Sequence, residues 1–168
     1  MEFDVLPRFV TRTNWGAEPP IKVHLNNNPM EHVCFNYNTG TASCSGDEEC
    51  FPLLRKMQKD YMDEGLSDIP FSFLVGGDGT IYEGRGWHVR SSSAIQGTTM
   101  SPRLDIGFLG TFHRDTVPKK MYFRGIDWVY YGVRMNLLIR MYSFQENRQP
   151  PRPKYMKTYI PYLKSLNQ

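Results

Sequence analysis

The side chains that most often perform catalysis or hold metals are few and scattered in this sequence. Its histidines and cysteines form no pattern with the spacing of a zinc-binding signature. An isolated histidine is more often a surface or hydrogen-bonded residue than a ligand. Taken alone, the residues therefore predict no metal centre at the four histidines, which are His24, His32, His88 and His113.

Glu83 and Arg85 are the charged residues of greatest interest in the middle of the chain. They lie two positions apart, so on a strand their side chains share one face. A solvated ion pair is the simplest interpretation. Glycines on both sides of Arg85 would also let a ligand or another backbone approach it closely.

The cysteines allow two interpretations. Cys44 and Cys50 are separated by five residues of polar sequence. They form either a small disulfide loop, which implies an oxidising compartment, or a pair of reduced surface thiols. Cys34 lies in an apolar stretch and is predicted to be a free, buried strand residue.

These residues surround a predicted β-hairpin between Ser67 and Trp87. Phe71, Phe73 and Val75 alternate along a buried strand, and Ile81 and Tyr82 resume the strand pattern after the glycine-rich turn at 76–79. The hairpin is the element that would position Glu83, Arg85 and their neighbours.

The remaining patterns predict a single α/β domain over residues 1–168, with a central mixed β-sheet flanked by helices. Residues 1–30 are expected to be mostly irregular, with Trp15 anchored on the core. The predicted elements are a strand over His32 to Tyr37, a helix from Ser45-Gly46-Asp47-Glu48 to a stop at Gly65, a buried strand over Ile106 to Phe112, a helix after Pro118 with an apolar face of Met121, Ile126, Val129, Tyr130, Val133 and Leu137, and a short last helix over Lys157 to Leu166.

Composition excludes several classes of function. The 168 residues include 20 basic and 17 acidic side chains, for a formal charge of +3, which is too balanced to indicate a nucleic-acid partner. No apolar run approaches the length of a membrane span. The first residues show no secretory pattern, so we expect either a cytosolic protein or a piece of a longer one.

Two stretches resemble a known family. The hairpin string from Ser67 to Trp87 is similar to the central segment of peptidoglycan recognition proteins, and the segment from Phe9 to Pro20 resembles the family's opening segment. The resemblance can be followed from about Val10 to the C-terminus and weakens after Val89. It implies a lysozyme-type amidase fold, a Cys44–Cys50 disulfide and an extracellular location, with secretion as the alternative to a membrane-bound receptor.

The same resemblance implies that catalysis is lost. Enzymes of this family cleave the amide between muramic acid and L-alanine with a zinc ion held by two histidines and one cysteine. The matching positions here are Asn36 (or Tyr37, if the alignment slips by one), Asn147 and Tyr155, and Phe71 replaces the catalytic tyrosine. Asparagine amides are poor zinc ligands and phenylalanine has no hydroxyl, so the resemblance implies no zinc cofactor and no amidase activity.

The resemblance also directs attention to the family's muropeptide groove. Gly86-Trp87 matches the pair that accompanies diaminopimelate-type peptides in the family, although the residues alone favour a glycine turn with a core tryptophan. The loop after Trp87 is longer than usual and could fill the groove. The candidates for groove or partner contacts are Glu83, Arg85, Gly86, Trp87, Arg90, Ser91, Ser92, Ser93 and Arg103.

The longer loop after Trp87 is similar to that of a receptor member of the family that acts with a ligand-loaded sister domain. It implies a noncatalytic receptor ectodomain that senses a bacterial peptidoglycan fragment, of the diaminopimelate type, jointly with a paralogous domain carrying the muropeptide. The two alternatives are a direct monomeric muropeptide-binding module and a residual N-acetylmuramoyl-L-alanine amidase.

Overall fold

The computed structural model describes residues 6–91 and 103–146. Its elements in chain order are β1 (Phe9–Val10), α1 (Arg12–Trp15), β2 (Met30–Asn36), α2 (Asp47–Asp63), β3 (Phe73–Val75), β4 (Ile81–Glu83), β5 (Arg103–Phe108), α3 (Lys119–Arg134) and β6 (Leu138–Glu146).

The strands form one six-stranded mixed sheet in the order β1-β4-β3-β5-β2-β6. Among the six described strands, the β3–β4 hairpin is antiparallel and the other neighbouring pairs are parallel. The predicted α/β class, with a central mixed sheet flanked by helices, is confirmed.

The two faces of the sheet carry separate apolar clusters. On one face, the alternate residues of β2 and β5, including Phe35 and Ile106, pack against Met121, Trp128 and Val129 of α3. On the other face, α2 packs over Leu74 and Tyr82 at the β1–β4–β3 side of the sheet. Polar residues of β5 and β2 occupy the remainder of this second face.

The local sequence patterns predicted most of these elements. Helix α2 begins one residue after Gly46 and ends just before Gly65. The backbone N–H of Ser45 donates to the carboxylate of Glu49 and not to that of Glu48, which the capping-box spacing predicted. Trp15 is completely buried and donates its indole N–H to the carbonyl of Glu83 at 2.8 Å, as its anchoring role requires.

Several predictions differ from the structure. The described part of the first thirty residues is mostly irregular, as predicted, with two short elements, β1 and α1, but β5 spans Arg103–Phe108 and not the predicted Ile106 to Phe112. Tyr130 is 53% exposed, so it does not belong to the buried face of α3, and Leu137 lies beyond the end of that helix. Strand β6 had no predicted counterpart. The last predicted helix, over 157–166, lies outside the described residues.

The Cys44–Cys50 disulfide and the free, buried Cys34 are both confirmed. The disulfide ties the segment before α2 to the first turn of that helix, and the carbonyl of Cys44 accepts the N–H of Gly77 in the hairpin turn at 2.7 Å. None of the helices in the described ranges is long and apolar enough to cross a membrane.

Candidate functional site

The polar floor is the part of the second sheet face formed by Asn36, Ser72, Ser91, Arg103 and Asp105. Asn36 lies at the end of β2, and Asp105 lies on the neighbouring strand β5. Both point away from α3, because Phe35 and Ile106, at the alternate positions, belong to the apolar cluster under that helix.

Asp105 is the centre of the polar floor. Its carboxylate accepts hydrogen bonds from the hydroxyl of Ser91, from Nε of Arg103 at 3.2 Å and from Nδ2 of Asn36 at 3.4 Å. Its backbone N–H donates to the hydroxyl of Ser72 at 3.1 Å. Because Asp105 is only 2% exposed, these bonds offset the cost of burying its charge.

The two positions that the family resemblance matches to the first zinc ligand, Asn36 or Tyr37, carry neither an imidazole nor a thiolate. Asn36 directs its amide N–H₂ at the Asp105 carboxylate, and the group it has left to offer, a neutral amide oxygen, is a poor zinc ligand. Tyr37, the alternative position, points to the α3 face, where its hydroxyl donates to Glu146 at 2.7 Å. In the described ranges, no three His, Cys, Asp or Glu side chains group into a possible metal site. Asn147 and Tyr155 lie outside these ranges.

Phe71 lies over the polar floor. Its ring is 2% exposed and packs beside Gly107 of β5, where a Cβ would stand 3.1 Å from the ring. The absence of a side chain at Gly107 is therefore what lets the ring lie there. The ring has no hydroxyl, so it provides no hydrogen-bond donor for a developing oxyanion.

The side chain of Cys34 lies on the same face of β2 as that of Asn36, but its thiol is unreactive. Burial, helped by the nearby Asp105 carboxylate, raises the pKa of its thiol to about 12. The thiolate needed for nucleophilic chemistry is therefore essentially absent at neutral pH.

Glu83 and Arg85 do not form the predicted solvated pair. Glu83 accepts the backbone N–H of Arg12 at 3.0 Å. Arg85 is only 7% exposed and points inward, donating to the carbonyls of Ile69 at 2.7 Å and Arg90 at 3.1 Å. Burial lowers the pKa of Arg85, and Asp68 opposes this shift. Its guanidinium thus holds the backbone on both sides of the hairpin instead of facing solvent.

Trp87 lies on the α3 face of the sheet, away from the polar floor. Its ring packs against Phe73 at 4.8 Å and against Trp128 at 5.6 Å between ring centroids. Gly86 has a φ of 81°, which a side chain would strain. The tryptophan packs against the apolar cluster under α3, as the simpler interpretation of the Gly86-Trp87 pair predicted, but it is half-buried and not part of the fully buried core.

The structure brings together some of the sequence candidates and separates others. Asn36, Ser91 and Arg103 meet at Asp105, whereas Arg90 extends to the carbonyl of Leu25 at 3.1 Å. Ser92 and Ser93 lie outside the described residues. Sequence reasoning missed Asp105, although a lone carboxylate within the apolar strand Leu104 to Phe108 signals a buried charge that needs partners.

Comparisons with known proteins agree on one family. No family model matches the chain. Peptidoglycan-recognition protein 1 of Holotrichia diomphalia is 30% identical over 141 residues, which cover 83% of this chain and 70% of that protein. Against peptidoglycan-recognition protein 2 of the same organism, the chain matches only 60% of the relative's length.

Solved structures share the fold over most of the chain. A mutant of Drosophila PGRP-LB has a TM-score of 0.76 at 29% identity and covers 84% of this chain and 86% of its own. The complex of tracheal cytotoxin with the ectodomains of peptidoglycan recognition proteins LCa and LCx matches with a TM-score of 0.74 at 26% identity, covering 83% of each chain.

Proposed function

The chain belongs to the peptidoglycan recognition protein family, and we propose that it is a noncatalytic member, which senses a diaminopimelate-type muropeptide jointly with a ligand-loaded paralogous domain. It acts at the extracellular side of a membrane as a receptor ectodomain. The disulfide supports an oxidising compartment, because such bonds are rare in the cytosol.

One observation carries the noncatalytic part of the proposal. The Asn36 amide is engaged with a buried carboxylate at the position where family enzymes have a zinc ligand. Phe71 adds the loss of the hydroxyl donor. A metal-bound water could not be activated without its ligands, so the described half of this site favours recognition over hydrolysis.

The burial of the polar floor favours recognition through a partner. Asn36, Asp105 and Ser91 are 6%, 2% and 0% exposed, and they satisfy one another with hydrogen bonds. A ligand that entered here would have to break these bonds before it made its own, which costs affinity. The isolated domain should therefore bind muropeptide weakly.

Helix α3 offers the surface through which a partner could act. Phe123 and Tyr130 lie two helical turns apart on its outer side, and they are 55% and 53% exposed. Lys120 and Arg134 flank them on the same side. Aromatic side chains beside cations suit a partner that presents carboxylates, as a muropeptide held by a sister domain does.

Calorimetry with tracheal cytotoxin tests the joint mode of recognition. We expect no binding tighter than about 100 μM by this chain alone, and at least about tenfold tighter capture when a paralogous domain loaded with the same ligand is present. The Phe123→Ala/Tyr130→Ala double variant should lose the joint complex, whereas Arg140→Ala, on the exposed part of β6, should keep it. Micromolar binding by the chain alone would instead establish a direct monomeric binding module.

A second assay addresses catalysis. Purified protein incubated with zinc and then dialysed should retain no stoichiometric metal, and it should release no peptide from muropeptide. Retained zinc together with peptide release would establish the residual amidase instead.

A further inference from the structure

An open cavity of about 400 Å³ lies beside the end of β6 and the loop that follows β5. Its described lining consists of Arg114, Phe144, Gln145 and Glu146. The volume is within the range of small-molecule sites, and the cavity lies at the carboxyl ends of parallel strands β2 and β6, where ligands of open α/β sheets commonly bind.

Two of the lining residues, Phe144 and Glu146, lie on the α3 face of the sheet, opposite to the polar floor. The ring of Phe144 packs edge-on against Phe35 with 4.9 Å between centroids, and Phe35 is part of the apolar cluster under α3. Glu146 lies two residues further along β6, so its side chain points to the same face. Asn36 points to the opposite face.

A buried tyrosine fixes the charged groups of the cavity. Tyr37 is 1% exposed, and its hydroxyl donates to Oε1 of Glu146 at 2.7 Å. Burial, together with this bond to Glu146, raises the pKa of Tyr37, so the hydroxyl keeps its proton and remains a donor. The other carboxylate oxygen of Glu146 pairs with Nε of Arg114 at 3.5 Å.

This arrangement leaves Arg114 available for a ligand. Its pairing with Glu146 uses Nε, and the part of the chain that the structure describes provides no partner for its two Nη groups. The side chain is 72% exposed, so a ligand can reach it. Phe144 is 41% exposed and offers an apolar surface beside the cation. A guanidinium binds a carboxylate through paired hydrogen bonds.

We propose that this cavity binds a carboxylate attached to an apolar group, with the carboxylate at Arg114 and the apolar group on the ring of Phe144. Such a ligand is either the C-terminal end of a short peptide or a short fatty acid. The site does not depend on the proposed muropeptide recognition.

Amide NMR titrations of the full chain test the site with defined probes. N-acetyl-L-phenylalanine represents the peptide terminus and hexanoate represents the fatty acid. Either probe should shift the amide signals of Phe144, Gln145 and Glu146 with saturation in the millimolar range. N-acetyl-L-phenylalaninamide, which lacks the charge, should bind about tenfold more weakly than the acid.

Variants separate this site from other basic surfaces. Arg114→Ala should weaken both carboxylate probes about tenfold, Arg114→Lys less, and the control Arg140→Ala not at all. Because Arg114 is exposed, an unchanged melting temperature will show that its variants are folded. The proposal is overturned if neither carboxylate saturates, if acid and amide bind equally, or if Arg114→Ala binds as the original protein does.

Discussion

Asp105 is a buried charge whose partners come from three separate parts of the chain. Ser91 precedes β5 by twelve residues, Arg103 begins β5, and Asn36 ends β2. A buried carboxylate stabilises a fold only when hydrogen-bonding and charged partners replace the water that it has lost. Removing either the carboxylate or its partners leaves the remaining polar groups buried without a counterpart.

Asp105→Asn should therefore destabilise the protein by about 2 kcal/mol, because the amide keeps the shape but withdraws the charge from Arg103 and presents N–H groups to Asn36. Urea denaturation measures the change. The matched control is Asp127→Asn, which weakens a half-exposed pair with Arg124 on α3 and should cost less than about 0.5 kcal/mol. Equal losses in the two variants would contradict the role given to Asp105.

At the scale of elements, α3 packs closely on the sheet because it carries glycines where large rings approach it. A Cβ at Gly125 would stand 3.0 Å from the ring of Phe108, and one at Gly132 would stand 2.6 Å from the ring of Trp87. These glycines weaken the helix by about 1 kcal/mol each relative to alanine. The close aromatic packing they permit outweighs that cost.

Gly132→Ala should for this reason destabilise the protein by about 1–2 kcal/mol, since the contact with Trp87 exceeds the gain in helix propensity. Trp87 cannot yield easily, because Phe73, Trp128 and Tyr131 surround its ring.

The combination with Trp87→Phe identifies the cause. That change removes the atoms that the new methyl group would meet, so the double variant should be more stable than the sum of the single changes predicts. Thermal melts of the four proteins provide the cycle, and strict additivity would show that Trp87 is not responsible.

At the scale of the whole molecule, a single arginine connects parts of the chain that are distant in sequence. The guanidinium of Arg12 pairs with Asp68 at 2.8 Å and donates to the carbonyls of Gly84 at 2.6 Å and Glu18 at 3.0 Å. Gln58 of α2 donates to the same Asp68 carboxylate at 3.0 Å. The N-terminal segment, α2 and the hairpin are thus joined at one buried carboxylate.

Arg12→Ala should destabilise the protein by about 3 kcal/mol, because it removes the direct ion pair of the nearly buried Asp68. Limited proteolysis should then cut within the first 18 residues sooner than in the original protein. Lys56→Ala, which removes an exposed helical pair with Asp60, is the control and should cost about 0.5 kcal/mol or less. Unchanged proteolysis and stability in Arg12→Ala would refute this role.

The amino-acid sequence by itself determined the features that depend on neighbours a few residues apart. Alternation over Phe73 to Val75 and helical spacing over Leu54 to Tyr61 act through contacts within one strand or one turn, so the β3–β4 hairpin and α2 were predictable. Phe71 was predicted to extend this alternation, but it precedes β3 and packs in the cluster on the other face of the sheet. The buried face of α3 was partly mispredicted. Tyr130, a large residue expected to be buried, is exposed, whereas Gly125 and Gly132 lie on the buried face of the helix.

Only the tertiary structure decided which face each functional candidate occupies and what it meets there. Asn36 and Asp105 are 69 residues apart, and Tyr37 and Glu146 are 109 apart. Contacts over such separations are set by the order in which strands enter the sheet, and β6 itself went unpredicted. Strand order therefore placed Arg85 in the interior and Trp87 half-buried against the α3 cluster, gathered the polar floor around Asp105, and left an open cavity at Arg114.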